Sequence, residues 1–208
     1  MNATINLLDD TYSDHGDDEN KAYAGLLCFQ ELSSYNDNFT KLTVNIEKLD
    51  TTGAQSDQLF YVYKDSIIST NQPVVKGDSS IEKFFAAKVG DTYYKTLPEA
   101  VAAAQNGETV TLLEDVTENV TIPTDKTITL DLNGKTLSGG KNNDKAALLN
   151  EGTVTIKDSS ATKTGTIKRE DDADKTGTSY YVIKNLGTMT IEQANVNNNS
   201  GYKETNSA

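Results

Sequence analysis

The sequence predicts a mainly β fold: a parallel β-helix, in which short strands stack into a solenoid, closed at its N-terminal end by one α-helix. Three observations carry this. A Thr-x-Thr pattern keeps returning after about residue 108, as Thr109-Val110-Thr111, Thr127-Ile128-Thr129, Thr153-Val154-Thr155, Thr164-Gly165-Thr166 and Thr188-Met189-Thr190, with Asn119-Val120-Thr121 a near-copy. Two copies extend into a longer match, Asn150-Glu151-Gly152-Thr153-Val154-Thr155-Ile156 and Asn185-Leu186-Gly187-Thr188-Met189-Thr190-Ile191, 35 residues apart. A helix signal sits just ahead of the first copy. Successive side chains of a strand point to opposite faces, so each central aliphatic residue points one way and its threonines the other. Repetition on this scale belongs to stacked, quasi-one-dimensional architectures.

Residues 1–85 read as a small mostly β region, or as the end of a preceding repeat unit, and they hold all five phenylalanines. Thr4-Ile5-Asn6-Leu7 is a short strand, and Leu42-Thr43-Val44-Asn45-Ile46 alternates as a half-buried strand does. Leu59-Phe60-Tyr61-Val62-Tyr63 is aromatic and β-branched, which favours a strand. Residues 21–32 fit a helix and a strand equally. Thr52-Gly53 and Gly77-Asp78 are turn signals. The repeats begin after a boundary near residue 86, and 86–208 is the β-helix region.

Thr96-Leu97-Pro98-Glu99 is a capping box: the Thr96 hydroxyl accepts from the Glu99 amide, and the Glu99 carboxylate accepts from the Thr96 amide. Pro98 is tolerated in a first turn. Leu97, Ala100, Val101 and Ala104 share one face, and Asn106-Gly107 permits the positive φ that ends a helix. A helix over 97–105 is expected to cover the apolar interior and unpaired edge at the start of the stack. Beyond it, apolar residues recur on one side of each strand: Val110 and Leu112, Val120 and Ile122, Ile128, Leu130 and Leu132, Val154 and Ile156, Ile167, Tyr181 and Ile183, Met189 and Ile191. Turns fall at Asn133-Gly134, Gly139-Gly140, Gly152, Gly165 and Gly187. Such short strands suit the faces of a β-helix, each coil pairing in parallel with the next. Uneven spacing assigns loops to 141–145, 158–163 and, longest and most charged, 168–179. The Asn-rich end carries no terminating element and reads as a stack cut short.

Composition narrows the function. The chain has 208 residues and a net charge of −12, which argues against nucleic acid and anionic lipid as partners. No window approaches the roughly 20 apolar residues of a membrane span, and no secretion signal opens the chain. The one cysteine, Cys28, lies in an apolar run and reads as a buried inert thiol. His15, the one histidine, excludes two-His zinc motifs. An acidic, Thr/Asn-rich, nearly cysteine-free chain suits a bacterial extracellular protein.

The stretch Ala87-Lys88-Val89-Gly90-Asp91-Thr92-Tyr93-Tyr94-Lys95-Thr96-Leu97-Pro98-Glu99-Ala100-Val101 resembles a recurring opening in bacterial cell-surface proteins. Segments like Gly107-Glu108-Thr109-Val110-Thr111-Leu112-Leu113-Glu114-Asp115-Val116 and Ile128-Thr129-Leu130-Asp131-Leu132-Asn133-Gly134-Lys135-Thr136-Leu137 follow it there. Those proteins look like right-handed parallel β-helices of the pectate-lyase-like superfamily, mostly wall-associated proteins of Gram-positive gut and oral bacteria read as adhesins. The resemblance spans about 86–199. It implies a right-handed coil, a place on the cell wall or surface, and binding in place of catalysis.

Three functions compete. The favoured one is a non-catalytic, monomeric display module that contacts a host glycan or glycoprotein, of immunoglobulin or mucin type, through the charged segment Lys168, Arg169, Glu170, Asp171, Asp172 and Asp174, with Tyr180 as a stacking surface for sugar. The second is a polysaccharide lyase or hydrolase. There the resemblance implies carboxylate-bound Ca²⁺ beside a base, and Arg169 with Asp171 and Asp172 supplies that pairing. Against it, these carboxylates share one turn, and the strands carry mainly Thr outward with Asp131 as the exception. The third is ice binding by a ranked Thr-x-Thr face. The starts at Thr109, Thr127, Thr153 and Thr188 lie 18, 26 and 35 residues apart, so the loops are expected to break a flat face. Asp14, Asp17 and Asp18 form a carboxylate cluster with the chemistry of a Ca²⁺ site, although the spacing is not that of an EF-hand. No other cofactor is expected.

Overall fold

The computed structural model describes residues 2–7, 10–11, 27–29, 41–46, 49–50, 60–62, 74–77, 79–139, 146–169 and 181–198. The chain forms two compact units, one of residues 1–85 with 91–94 and one of residues 86–90 with 95–208.

In the first unit the strands are β1 (Asn2–Leu7), β2 (Asp10–Thr11), β3 (Leu27–Phe29), β4 (Lys41–Ile46), β5 (Leu49–Asp50), β6 (Phe60–Val62) and β7 (Val74–Gly77). They fall into three parallel sets: β1 on β4 on β7, β2 on β5, and β3 on β6. The sequence favours strands at β1, β4 and β6. At 21–32, where periodicity is silent, the described part is strand β3. Val44 and Val75 face each other in register and both are buried. A 3-10 turn at Ser79–Phe84 adds Ile81 and Phe84 to this core. The next strand, β8 (Ala87–Val89), belongs to the second unit, while β9 (Thr92–Tyr94) pairs antiparallel with β7.

The second unit opens with β8 and helix α1 (Leu97–Ala103). The helix ends two residues short of the expected 105. Its strands continue as β10 (Thr109–Leu112), β11 (Val116–Thr117), β12 (Val120–Ile122), β13 (Thr127–Asp131), β14 (Thr136–Gly139), β15 (Leu148–Asn150), β16 (Thr153–Lys157), β17 (Thr166–Arg169), β18 (Ile183–Asn185), β19 (Thr188–Ile191) and β20 (Asn195–Asn198). The chain visits three sheets in rotation. β10, β13, β16 and β19 stack in the first, β11, β14, β17 and β20 in the second, and β12, β15 and β18 in the third. Every one of these pairs is parallel. Antiparallel pairing in this unit, among the described residues, is confined to β8 on β10. The protein is therefore mainly β, built of stacked parallel strands.

Alternation explains the interior. Val110, Leu112, Ile128, Leu130, Val154 and Ile156 from the first sheet are buried, as are Leu137 and Ile167 from the second and Val120, Ile122 and Leu148 from the third. Burying each such side chain contributes about 1.5–3 kcal/mol. The repeated segment sets register directly: Asn150 lies opposite Asn185 and Thr153 opposite Thr188. Two expectations fail. Tyr181 is 60% exposed while its neighbour Val182 is buried; Tyr181 lies ahead of β18, whereas Ile183 within it keeps the expected face, opposite buried Leu148. Gly139 is a strand residue, not a turn: a Cβ there would meet the Glu118 carbonyl oxygen at 2.5 Å and Ala147 Cα at 2.9 Å.

Helix α1 is tied down at both ends. Its capping box forms as expected, with the Glu99 amide donating to Thr96 Oγ1 at 3.3 Å and the Thr96 amide to Glu99 Oε2 at 3.2 Å. Leu97, Ala100, Val101 and Ala104 are buried against β8, β10 and β12. A second acid then joins the N-terminus: the Leu97 amide donates to Glu118 Oε2 at 2.9 Å. At the other end Lys126 Nζ donates to the carbonyls of Ala102 and Ala104, at 2.9 and 2.6 Å. Each charge opposes the helix dipole at its end.

Candidate functional site

The corner between the first and second sheets collects three aspartates, Asp131 and Asp158 buried and Asp115 exposed. It is built from the segments after β10, β13 and β16. Asp115 Oδ1 accepts from the Thr136 amide at 2.8 Å, one coil on. Asp131 Oδ1 accepts from the amides of Asn133 and Ser159, at 3.0 and 2.9 Å. Asp158 accepts from Gly134, Ser160 and Gly165 amides, at 2.8, 2.9 and 2.6 Å. Asn133 Nδ2 returns a bond to the Leu112 carbonyl at 3.0 Å. The corner is thus knitted coil to coil by acids that accept from backbone amides, Asp158 through both oxygens. Asn133 and Gly134 both take positive φ, 47° and 77°, as their sequence suggests for a turn.

Asp131, expected to point outward, is 4% exposed. Strand alternation alone does not place it; the two amides at the corner draw it in, and the Lys157 ammonium, 3.8 Å from Oδ2, adds little. Burial pushes the Asp158 carboxyl up, but the Ser160 hydroxyl and the Gly165, Ser160 and Gly134 amides outweigh it and hold it below the usual range. Glu118 goes the other way. Burial raises it, the Leu97 amide lowers it, and the nearby charges of Glu99 and Glu114 raise it further, leaving it above an ordinary glutamate.

The first two residues of the expected charged loop are strand. Lys168 and Arg169 belong to β17, not to a loop, paired with Ser138 and Gly139 on one side and Asn197 and Asn198 on the other. Alternation with Ile167 turns Arg169 inward, where it is 0% exposed and Nη1 donates to the Tyr181 carbonyl at 3.4 Å. It therefore serves neither as an exposed binding residue nor as a base reaching a polymer. Lys168 is half-buried. Glu170, Asp171, Asp172, Asp174 and Tyr180 lie outside the described residues, as do Asp14, Asp17 and Asp18. Among the described residues no group of three or more His, Cys, Asp or Glu side chains is placed to hold a metal.

The threonines of the first sheet form two columns. Thr127, Thr153 and Thr188 stand in register, and so do Thr109, Thr129, Thr155 and Thr190. Uneven linear spacing does not break them, because the added residues leave through the connections and not the strands. The motif alignment misjudges one rung: Thr109 lies opposite Thr129, not Thr127. A shift of two residues keeps every side chain on its face, so the columns survive it. All seven are half-buried or exposed. Comparison with protein-family models, with curated proteins and with solved structures finds no match.

Proposed function

We propose that this chain is a non-catalytic binding and display module of a bacterial surface protein. In this reading the second unit is a right-handed parallel β-helix of the pectate-lyase-like kind, with α1 as its N-terminal cap, and the ligand is a host glycan or glycoprotein. The observation that carries it is the pairing of rigid rungs with unequal connections. β16 and β19 pair in full register although a long, highly charged segment separates β17 from β18. Recognition concentrates in such segments when a rigid scaffold holds their ends.

The test is binding of the chain to immobilised mucin-type glycoprotein and immunoglobulin, compared with a variant carrying Lys168→Glu, Asp171→Lys and Asp172→Lys. A loss of about tenfold or more in the variant, equivalent to about 1.4 kcal/mol, is expected. Equal binding by both proteins sinks the assignment to this segment, and release of unsaturated uronate from polygalacturonate with Ca²⁺ sinks the non-catalytic reading.

A second reading, ice binding, gains from the two in-register threonine columns. Strand spacing of about 4.7–4.9 Å repeats their hydroxyls and methyls regularly. An ice-recrystallisation assay decides it: inhibition that disappears in Thr155→Lys supports the reading, and no inhibition ends it.

A further inference from the structure

The second unit holds both Asn-Gly pairs of the sequence, Asn106-Gly107 between α1 and β10 and Asn133-Gly134 at the corner after β13. Such a pair can rearrange without an enzyme. The glycine nitrogen attacks the asparagine side-chain amide, and the missing Cβ leaves that approach open.

The fold treats the two pairs in opposite ways. Asn106 Oδ1 accepts from the Thr127 amide at 2.7 Å, while its Nδ2 donates to nothing among the described residues. A donor thus faces the oxygen on which negative charge develops when Cγ is attacked, and the departing nitrogen is not held. Asn106 and Gly107 are both exposed, and a Cβ on Gly107 would meet nothing within 4 Å. The Gly107 amide donates to the Thr127 carbonyl at 2.7 Å, a neutral acceptor. At the other pair Asn133 Nδ2 is held by the Leu112 carbonyl at 3.0 Å, and Asn133 Oδ1 accepts from no donor among the described residues. The Gly134 amide donates to the Asp158 carboxylate at 2.8 Å, and a Cβ on Gly134 would meet Ser160 at 3.1 Å. The carboxylate charge opposes ionisation of that amide, and a bond to a charged acceptor is harder to break than one to a carbonyl.

We propose that Asn106-Gly107 is a site of spontaneous deamidation in the folded protein, with water as the co-reactant, and that the corner protects Asn133-Gly134. Solvent hydroxide takes the Gly107 amide proton, and the nitrogen forms a bond to Asn106 Cγ. The bond from Cγ to Nδ2 breaks, and Nδ2 leaves as ammonia after taking a proton from water. A cyclic imide results, and water opens it. Cleavage of the new bond to Cγ leaves an aspartate at position 106. Cleavage at the main-chain carbonyl carbon leaves an isoaspartate, whose main chain runs on through Cγ. Overall a water is consumed and an ammonia released. Both products add a negative charge close to Glu108, and the isoaspartate also lengthens the main chain between α1 and β10.

The test is peptide mapping by mass spectrometry of the 208-residue chain held folded at mildly alkaline pH, beside the same chain in urea. Folded, conversion at position 106 is expected to run about tenfold or more ahead of conversion at position 133. In urea, where neither set of contacts survives, the two rates are expected to converge. Equal rates in the folded chain overturn the proposal, and so does a folded chain that keeps both amides while urea releases both. A lead at position 106 that persists undiminished in urea also overturns it, because the cause then lies in the local sequence and not in the fold.

Discussion

Asp158 shows what an acidic residue does in this chain. Three backbone amides converge on its carboxylate across a corner where the strands have ended and no ladder partner exists. Its pKa is depressed in the folded state. The stabilisation it gives is therefore fully present above the unfolded value, about 3.9, and is lost as pH falls through the lower folded value. Asp158→Asn keeps one acceptor but turns an amide NH₂ toward backbone donors. Its melting temperature is expected to lie below the parent's at pH 7, with the gap closing as both are titrated below about pH 4. A gap that persists in acid would remove the carboxylate from this role. Arg169 teaches the converse. In the sequence it stands inside a charge run that reads as solvated loop, and linear charge density carries no information about which face of a strand a residue takes. Its phase with Ile167 does, but that phase is readable only once β17 is known to extend through residue 169.

Helix α1 is the element whose sequence says most about its structure, and it also shows where such legibility stops. The capping box and the Leu97, Ala100, Val101, Ala104 face are local signals, and both form. Glu118 and Lys126 are not local: the Leu97 bond spans 21 residues, and no pattern within the helix announces it. Two influences on Glu118 oppose each other: burial, with the charges of Glu99 and Glu114, disfavours its ionised form, and the Leu97 amide favours it. Glu118→Gln retains an acceptor for the Leu97 amide without the charge, so it is expected to leave stability at pH 7 unchanged or slightly raised. Glu118→Ala removes the acceptor and is expected to cost about 1 kcal/mol, as losing a helix cap does. Equal loss in both variants, read from denaturant titrations, would show that the charge and not the bond matters. Among the strands, register was legible where residues repeat identically. The match between 150–156 and 185–191 predicts the β16 to β19 pairing residue for residue, whereas the shorter Thr-x-Thr match places β10 two residues off on β13.

At the scale of the whole molecule, stability in the second unit passes from rung to rung, so the same substitution should weigh differently by position. Val154 is enclosed by rungs on both sides, and an unpaired charge there costs several kcal/mol. Val154→Asp is expected to abolish the cooperative melt of this unit. Ile191→Asp, which the sequence alone would rank as equally severe, falls on the open rung and is expected to cost less than about 1 kcal/mol. Similar melts for the two variants would contradict the inside and outside assignments. The division into interior and exterior was readable from period-two alternation through Ile167. Beyond residue 180 the expected face holds in register, with Ile183 opposite Leu148, Met189 opposite Val154 and Ile191 opposite Ile156, and the reading misses only Tyr181, which lies ahead of β18 and is exposed. The unequal links between in-register rungs have one more consequence. Lengthening a closed loop costs only slowly with length, about 0.6 kcal/mol per doubling. Foreign peptides grafted between β17 and β18 would thus be carried at little thermodynamic expense, which makes this a natural frame for diversification: one fixed spine, many interchangeable inserts.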